Sequence, residues 1–205
     1  MYEKLKEMAH ASGATAFGVC NAEDLGPHYD ALPLDQTEGF NYGITIGSRV
    51  SRAVLKGCII GPTRHYLHNY RMINWLLDLT AAKLSVAIQN EGYNAMPIPA
   101  SQIVDWEAQT AHLSHKMLAL RSGVGWIGRN NLLVHPEYGS TIRVATILTD
   151  MPLKTDSPLE KDCGECKKCI DICPVNAIKE SHKNWNQTSS YSYWQISDPF
   201  MKMTS

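Results

Sequence analysis

The chain has 205 residues, of which 44% are hydrophobic and 19% charged, a composition that supplies a buried core and excludes a disordered chain. Its formal net charge of −1 at pH 7 argues against a broad positive surface for nucleic acid, although it leaves room for a local basic patch. The apolar runs are too short to cross a bilayer, and residues 1–7 lack the apolar core of a signal peptide. We therefore expect a cytoplasmic protein whose six cysteines are thiols or metal ligands, not disulfides.

The first 50 residues predict one helix and two strands. Residues 2–12 have the pattern of a short amphipathic helix that ends at Gly13. Residues 16–20 and 42–47 have the apolar character of strands. Between the strands, residues 21–39 are rich in turn-forming residues and predict a surface loop.

The middle of the chain predicts two helices. Over residues 64–91, apolar side chains recur at steps of three and four, and Thr63 and Gly92 can cap the ends of this helix. Residues 93–99 contain two prolines and predict an extended segment. A similar periodicity predicts a second helix over residues 102–121.

Two further strands and a linker are predicted before the last motif. Residues 132–134 and 141–148 resemble strands joined by a turn at residues 136–139. Residues 151–162 form a polar, proline-containing linker, which is a natural domain boundary. Residues 181–205 show no apolar period and predict an irregular tail.

The most informative motif is the cysteine run Cys163, Cys166, Cys169 and Cys173, which Pro174 follows directly. It has the C-x2-C-x2-C-x3-C-P spacing of bacterial ferredoxins, in which closely spaced thiolates bind different irons of one cubane. Structural zinc usually takes two separated pairs of ligands, and no second pair follows here. We therefore predict that these four cysteines are ligands of a [4Fe–4S] cluster.

A glycine-rich block precedes the cysteines. Gly123, Gly125 and Gly128 would let the backbone approach a ligand closely, and Arg129 and Asn130 add hydrogen-bond donors for phosphate or amide groups. The block follows a helix and precedes a strand, which is the reverse of a dinucleotide fingerprint. A tight connection between helix and strand would require the same glycines, so the residues alone leave both interpretations open.

Three features together resemble epoxyqueuosine reductases and their shorter relatives: the block Gly-Val-Gly-Trp-Ile-Gly-Arg-Asn at residues 123–130, the predicted strand pair that ends with residues 148–153, and the cysteine run. The resemblance covers residues 95–180 well and the first helix and strands loosely. Arg129 stands where lysine is usual in that family.

The resemblance implies a fold and a set of cofactors. Epoxyqueuosine reductases use base-off cobalamin and two [4Fe–4S] clusters to reduce an epoxide on a tRNA-borne nucleoside. By this analogy residues 1–155 form an α/β sandwich like the corrinoid domains of reductive dehalogenases and, distantly, the nitroreductases. Residues 156–180 form a short ferredoxin-like segment, and residues 181–205 form the tail. The residues implied to surround cobalamin are Gly125, Trp126, Gly128, Arg129, Asn130, His112 and Lys116.

The chain also departs from that family, whose members are considerably longer and carry a second cysteine run. In the paired arrangement Cys173 would ligate the other cluster. A single cluster could instead recruit Cys20, Cys58, a partner's residue or solvent, or two subunits could share ligands. The interpretation we favour here is a reading frame cut short after residue 180, or a degenerate paralogue, because the tail has no apolar period.

A reduction of an epoxide also needs a proton donor, for which Asp105 is the nearest candidate upstream of the glycines. On the predicted helix, Asp105, Gln109, His112 and Lys116 would share one face. That face is either a solvated polar surface, which we favour, or a row that binds substrate and delivers protons. A metal site at His112 and His115 is disfavoured because the block offers no further ligand at helical spacing.

Three functions follow from these patterns. The first is a corrinoid-dependent iron–sulfur oxidoreductase that acts on tRNA epoxyqueuosine or a related substrate, with a ferredoxin or flavodoxin as electron donor. The second is a single-cluster electron carrier or activator without a substrate of its own. The third is a truncated, inactive remnant. The oligomeric state cannot be predicted from the sequence.

Overall fold

The computed structural model describes residues 1–26, 29, 32–107, 110–174 and 176–179. In chain order its elements are α1 (Tyr2–Ala11), β1 (Ala16–Asn21), α2 (Leu34–Thr37), β2 (Tyr42–Arg49), α3 (Arg52–Leu55), α4 (Arg64–Gln89), β3 (Ala95–Ile98), α5 (His115–Arg121), β4 (Trp126–Ile127), β5 (Leu133–Val134), β6 (Ile142–Thr149) and α6 (Lys168–Asp171). The predicted α/β class is confirmed.

The centre of the fold is a four-stranded antiparallel sheet with the order β1-β2-β6-β3. Ile44 in β2 lies opposite Val19 in β1 and Ile147 in β6. Because alternate residues of a strand point to opposite faces, these three side chains share one face of the sheet. That face packs against α1 and α4 in the main hydrophobic core.

Helix α4 covers this face with the apolar stripe that its sequence predicts. Ile73, Leu77, Leu84 and Ile88 are buried at helical spacing against the sheet. The Thr63 hydroxyl accepts a hydrogen bond from the Tyr66 amide at 3.0 Å, which confirms the predicted N-cap. The predictions of α1, β1, β2 and the extended β3 are also confirmed.

Helix α5 lies on the opposite face and approaches the sheet closely. A Cβ atom added at Gly43 of β2 would lie 2.5 Å from Cδ2 of Leu118, and one at Gly18 of β1 would lie 2.3 Å from the carbonyl oxygen of Ser122. Both distances are shorter than side-chain contacts allow. Glycines in two adjacent strands therefore make room for α5 and for the residues that follow it.

The predicted helix over residues 102–121 is wrong for the described residues before His115, because within the described part of this range the helix covers His115–Arg121 alone. Upstream, Asp105 forms an isolated bridge with Thr110, and its carboxylate accepts a hydrogen bond from the Glu107 amide at 2.8 Å. An Asp side chain that bonds the amide two residues ahead stabilises a turn at the expense of a helix. Trp106, which the predicted helical periodicity would place on the inward face, is 73% exposed.

The predicted pairing of residues 132–134 with residues 141–148 is also wrong. Both sides of β6 are occupied by β2 and β3, whereas the two-residue strand β5 pairs with β4. The turn at residues 135–139 closes on itself, since His135 and Gly139 exchange backbone hydrogen bonds at 2.9 Å. It therefore separates two sheets and does not join one hairpin.

Two predicted loops are more ordered than their composition suggests. Leu25 and Tyr29 of the turn-rich segment are buried against α5, and the segment contains α2. In the predicted linker, Met151 and Leu153 are buried in the main core. The division near residue 155 remains a prediction, and the predicted tail, residues 181–205, lies outside the described residues.

A search of the helices within the described ranges finds none that combines the length and apolarity needed to cross a membrane.

Candidate functional site

The cysteine run begins in a tight turn. The carboxylate of Asp162 accepts a hydrogen bond from the Gly164 amide at 2.7 Å, and Gly164 has a positive φ of 48°. The Cys166 amide then donates to the carbonyl of Cys163 at 3.0 Å. The turn brings the first two cysteines close in space, as ligation of one cluster requires. We call residues 162–166 the cysteine turn.

The four thiols differ in exposure. Cys166 is exposed, Cys163 and Cys169 are half-buried, and Cys173 is buried with its sulfur accepting a hydrogen bond from the Ala177 amide at 3.3 Å. Among the described residues, three or more His, Cys, Asp or Glu side chains do not converge on one metal-ion position. Thiolate sulfurs are the donors that a [4Fe–4S] cluster takes, so the chemistry of these residues fits such a cluster.

The glycine block forms the two short strands β4 and β5 and the turn between them. Gly128 and Leu132 close this turn through a backbone hydrogen bond of 2.8 Å. Asn131 adopts a left-handed conformation with φ of 58°, and the Asn130 side chain accepts a hydrogen bond from the Leu132 amide at 3.2 Å. We call residues 128–132 the glycine turn.

Packing within the chain accounts for the two glycines that we assigned to a cofactor. A Cβ atom at Gly125 would lie 2.4 Å from the carbonyl oxygen of Val134, and one at Gly128 would lie 2.7 Å from Oδ1 of Asn130. Close packing against β5 and within the glycine turn is therefore a structural reason for these glycines. Their contact with a cofactor stays a prediction.

Three buried polar atoms near these elements have no hydrogen-bond partner: Nε1 of Trp126 in β4, Oδ1 of Asn131 in the glycine turn, and Nδ1 of His112, which precedes α5. An unsatisfied buried polar group costs about 1–3 kcal/mol, so such groups are rare without a ligand or water. The indole is a donor and the amide oxygen is an acceptor. Together they fit a ligand whose rim carries amide groups, as a corrinoid does.

Helix α5 and the glycine turn are joined by Lys116. Its ammonium group donates a hydrogen bond of 2.9 Å to the carbonyl oxygen of Asn131. Burial lowers the pKa of Lys116, because the charged form loses its hydration. The contact holds the backbone of Asn131 in place, beside its unpaired amide oxygen.

The glycine turn also contacts the cysteine turn through Arg129. Nη1 of its guanidinium donates to the carbonyl of Cys166 at 2.6 Å, and Nη2 donates to the carbonyl of Gly164 at 2.7 Å. We expected Arg129 to line a corrinoid, but both terminal nitrogens point to the cysteine turn. The structure therefore brings together the two motifs that are separated in sequence.

His115 is half-buried and has a structural environment. Its Nε2 lies 2.8 Å from the carbonyl of Pro99, and its Nδ1 lies 2.8 Å from the hydroxyl of Thr146. A carbonyl only accepts, so Nε2 carries the proton and Nδ1 accepts from Thr146. Burial lowers the pKa of His115 to about 4, so the ring is neutral at pH 7. Both nitrogens are engaged, which argues against a metal ligand.

The proposed row of Asp105, Gln109, His112 and Lys116 is not a helix face, because α5 begins only at His115. Gln109 lies outside the described residues. Asp105 belongs to the irregular segment before α5, where its carboxylate caps a turn.

The remaining cysteines have ordinary surroundings. Cys20 is buried between β1 and α5, and burial raises the pKa of its thiol to about 12. Cys58 is half-buried, with its thiol 3.8 Å from the carbonyl of Val54. The position of Cys20 makes it a poor candidate for an additional cluster ligand.

The sequence analysis missed Asp156. Its carboxylate accepts hydrogen bonds from the Tyr2 hydroxyl and, at 2.9 Å, from the Val19 amide, and its own amide donates to the Val19 carbonyl at 2.7 Å. These bonds fix the segment before the cysteine turn along β1. No local pattern could have identified the contact, because 154 residues separate Asp156 from Tyr2.

Comparisons with known proteins show which proteins this chain resembles. Residues 162–203 match the family model described as a 4Fe-4S double cluster binding domain. The chain is 42% identical over 69 residues to an epoxyqueuosine reductase of Bacillus anthracis, which covers 34% of this chain and 18% of that protein. It is 46% identical over 142 residues to one from Synechococcus sp. strain CC9605, which covers 69% and 39%. The chain thus spans less than half the length of these relatives.

Solved structures share the fold. The epoxyqueuosine reductase from Streptococcus thermophilus has a TM-score of 0.62 and 19% identity, over 86% of this chain and 53% of that one. An epoxyqueuosine reductase with an epoxyqueuosine-modified tRNA stem loop has a TM-score of 0.61 and 20% identity, over 85% and 52%. A reductive dehalogenase described with B12-dependent dehalogenation has a TM-score of 0.66 and 21% identity, over 87% and 26%. The resemblance to epoxyqueuosine reductases and the corrinoid-domain-like fold are therefore confirmed.

Proposed function

We propose, starting from its similarity to epoxyqueuosine reductases in sequence and fold, that this chain is part of an iron–sulfur oxidoreductase. In this proposal Cys163, Cys166, Cys169 and Cys173 hold a [4Fe–4S] cluster, and a corrinoid binds beside the glycine turn. The observation that carries it is the contact of Arg129 with the carbonyls of Gly164 and Cys166, since it joins the two turns that would hold the two cofactors.

The residues around the glycine turn would bind and orient the corrinoid. The Trp126 indole can donate to an amide oxygen on its rim, and the Asn131 amide oxygen can accept from an amide nitrogen. Lys116 holds Asn131 through its backbone carbonyl and so orients that acceptor. When bound and reduced, a corrinoid supplies a strongly nucleophilic, low-potential metal centre, and the cluster supplies its electrons.

The proposed substrate is epoxyqueuosine in tRNA or a related electrophile, with a ferredoxin or flavodoxin as electron donor. The support is the name of the relatives and the tRNA stem loop bound by one structural neighbour. Asp105 is the proposed source of the proton for the departing oxygen, because carboxylic acids commonly act as general acids. The net charge of −1 requires that any tRNA contact use a local basic patch.

A second candidate is an electron carrier that holds the cluster alone. Cys166 is exposed and two further cysteines are half-buried, so a cluster here would lie near the surface, where it could exchange electrons with another protein. This function would need no corrinoid.

Anaerobic reconstitution with iron, sulfide and cobalamin distinguishes these functions. Iron and cobalt counts, followed by paramagnetic resonance of the reduced sample, should show about four iron atoms and base-off cobalt. A cluster without cobalt would favour the carrier, and a chain that takes up neither metal would refute both. Cys166→Ala should abolish the cluster absorbance, whereas the matched variant Cys58→Ala should retain it.

A further inference from the structure

Arg129 joins the two turns on which the proposed function rests, and the geometry of this contact supports a further inference. Its two terminal nitrogens bind the carbonyl oxygens of Cys166 and Gly164 at 2.6 and 2.7 Å. The guanidinium is planar and its two NH₂ groups are parallel, so one side chain can bridge two carbonyls of a turn. The Gly164 carbonyl lies between the first and second cysteines of the run, and the other carbonyl is that of the second cysteine, Cys166.

The two hydrogen bonds of Arg129 constrain a part of the cysteine turn that side-chain packing does not hold in place. Gly164 has a positive φ of 48°, and a side chain at this position would have open space around it, so packing does not force this conformation. The internal hydrogen bonds of the turn come from the Gly164 and Cys166 amides. Arg129 binds the carbonyl oxygens of the same two residues.

Arg129 also places a permanent positive charge at the turn. An arginine guanidinium stays charged in proteins. A cluster gains one negative charge when it is reduced, and a nearby cation stabilises that form. Hydrogen bonds and charges around a cluster are among the main determinants of its reduction potential.

We propose that Arg129 is a positioning residue that clamps the cysteine turn onto the glycine turn and raises the reduction potential of the cluster bound there. The inference rests on the proposed function for its redox part. Its mechanical part concerns contacts within the chain alone, which hold whether or not a cluster is bound.

Two substitutions distinguish the effect of the two hydrogen bonds of Arg129 from the effect of its positive charge. Arg129→Lys keeps a positive charge but cannot bind two carbonyls in a fork, whereas Arg129→Gln loses both. Lys161→Gln is the matched control, because it removes an exposed charge just before the cysteine turn without touching the clamp. Each variant would be reconstituted with iron and sulfide, without cobalamin.

Three measurements test the proposal. We expect iron loss to a chelator to be about tenfold faster in both Arg129 variants than in the wild type. A mediated titration should give a more negative midpoint potential for Arg129→Gln than for Arg129→Lys, with Lys161→Gln shifted least. Hydrogen exchange of the Gly164 and Cys166 amides in the metal-free chain should be faster in both Arg129 variants.

The outcomes distinguish a failure of this inference from a failure of the proposed function. If the wild type holds a cluster and Arg129→Gln leaves the potential and the iron-loss rate unchanged, the inference is wrong and the proposed function stands. If the wild type takes up no iron, the proposed function fails, and hydrogen exchange still decides whether the clamp exists. Unchanged exchange in Arg129→Gln would refute the clamp in either case.

Discussion

The Tyr2 hydroxyl of α1 donates to the carboxylate of Asp156, whose two oxygens lie 3.0 and 2.8 Å away. The same carboxylate accepts a hydrogen bond from the amide of Val19 in β1. One side chain thus connects the first helix, the first strand and the segment that leads into the cysteine turn. The ring of Tyr2 packs edge-on against Phe17 at 5.4 Å between centroids, which holds the hydroxyl in place.

Asp156→Ala should lower the free energy of unfolding by about 2–3 kcal/mol, because it leaves the Tyr2 hydroxyl and the Val19 amide without their acceptor. Tyr2→Phe removes only one of these bonds and should cost about 1 kcal/mol. Urea unfolding followed by circular dichroism measures both. Glu160→Ala, an exposed carboxylate of the same segment, is the control and should have little effect. If Asp156→Ala and Glu160→Ala had equal effects, the hydrogen bonds of Asp156 would not stabilise the connection between α1, β1 and the segment before the cysteine turn.

Stability should fall as pH falls from 6.5 towards 4, because of His115. Its pKa is lowered to about 4 in the folded chain, so the unfolded chain binds a proton that the folded chain does not. The folded state is therefore favoured above pH 6.5, and roughly 3 kcal/mol of this contribution is lost once the pH is below 4. Unfolding free energies between pH 7 and pH 4 should decline more steeply for the wild type than for His115→Gln. His65→Gln, on an exposed position of α4, should follow the wild type.

The glycines under α5 should differ in their tolerance of alanine. A Cβ at Gly18 meets a backbone carbonyl, whereas a Cβ at Gly43 meets the flexible end of Leu118. We expect Gly18→Ala to lower the free energy of unfolding by about 3 kcal/mol, and Gly43→Ala to lower it by about 1 kcal/mol. Thermal unfolding provides the measurement. Gly61→Ala is the control, since no heavy atom lies within 4 Å of its added Cβ and its φ is not positive. A larger loss of stability for Gly43→Ala than for Gly18→Ala would show that α5 moves as a unit.

Alkylation should separate the thiols of the metal-free chain by their surroundings. Cys20 is buried and its pKa is raised to about 12, so at pH 8 it should remain unmodified by iodoacetamide until the chain unfolds. The exposed Cys166 should react first. Peptide mass spectrometry over a time course gives the order. Early modification of Cys20 in the folded chain would contradict its burial between β1 and α5.

The strong local patterns predicted most of the fold. The stripe over residues 64–91, with Thr63 as its cap, required no knowledge of the rest of the chain, because a long amphipathic helix is defined by its own periodicity. The helix over residues 102–121 failed because Asp105 stabilises a turn that a periodicity analysis cannot detect. The predicted pairing of residues 132–134 with residues 141–148 failed for another reason: the partner of a two-residue strand depends on which edges of the sheet are free.

The candidate site was predictable as a set of motifs but not as an arrangement. Spacing predicts that the cysteines are cluster ligands, since the pattern is typical of bacterial ferredoxins. It does not indicate that Arg129 would bind the carbonyls of the cysteine turn, nor that Lys116 would bind that of Asn131. Such contacts depend on side-chain direction at positions that are remote in sequence. They are found only when the backbone of both turns is known.

The position of Asp156 has a consequence for association between copies of the chain. Val19 lies in β1, an outer strand, and its amide and carbonyl are both bonded to Asp156, so this part of the outer strand cannot recruit a strand from another molecule. On the opposite border, β3 carries Pro97, which has no amide hydrogen to offer. Both outer strands of the sheet are thus protected against edge-to-edge aggregation. Loss of Asp156 would expose one of these two edges.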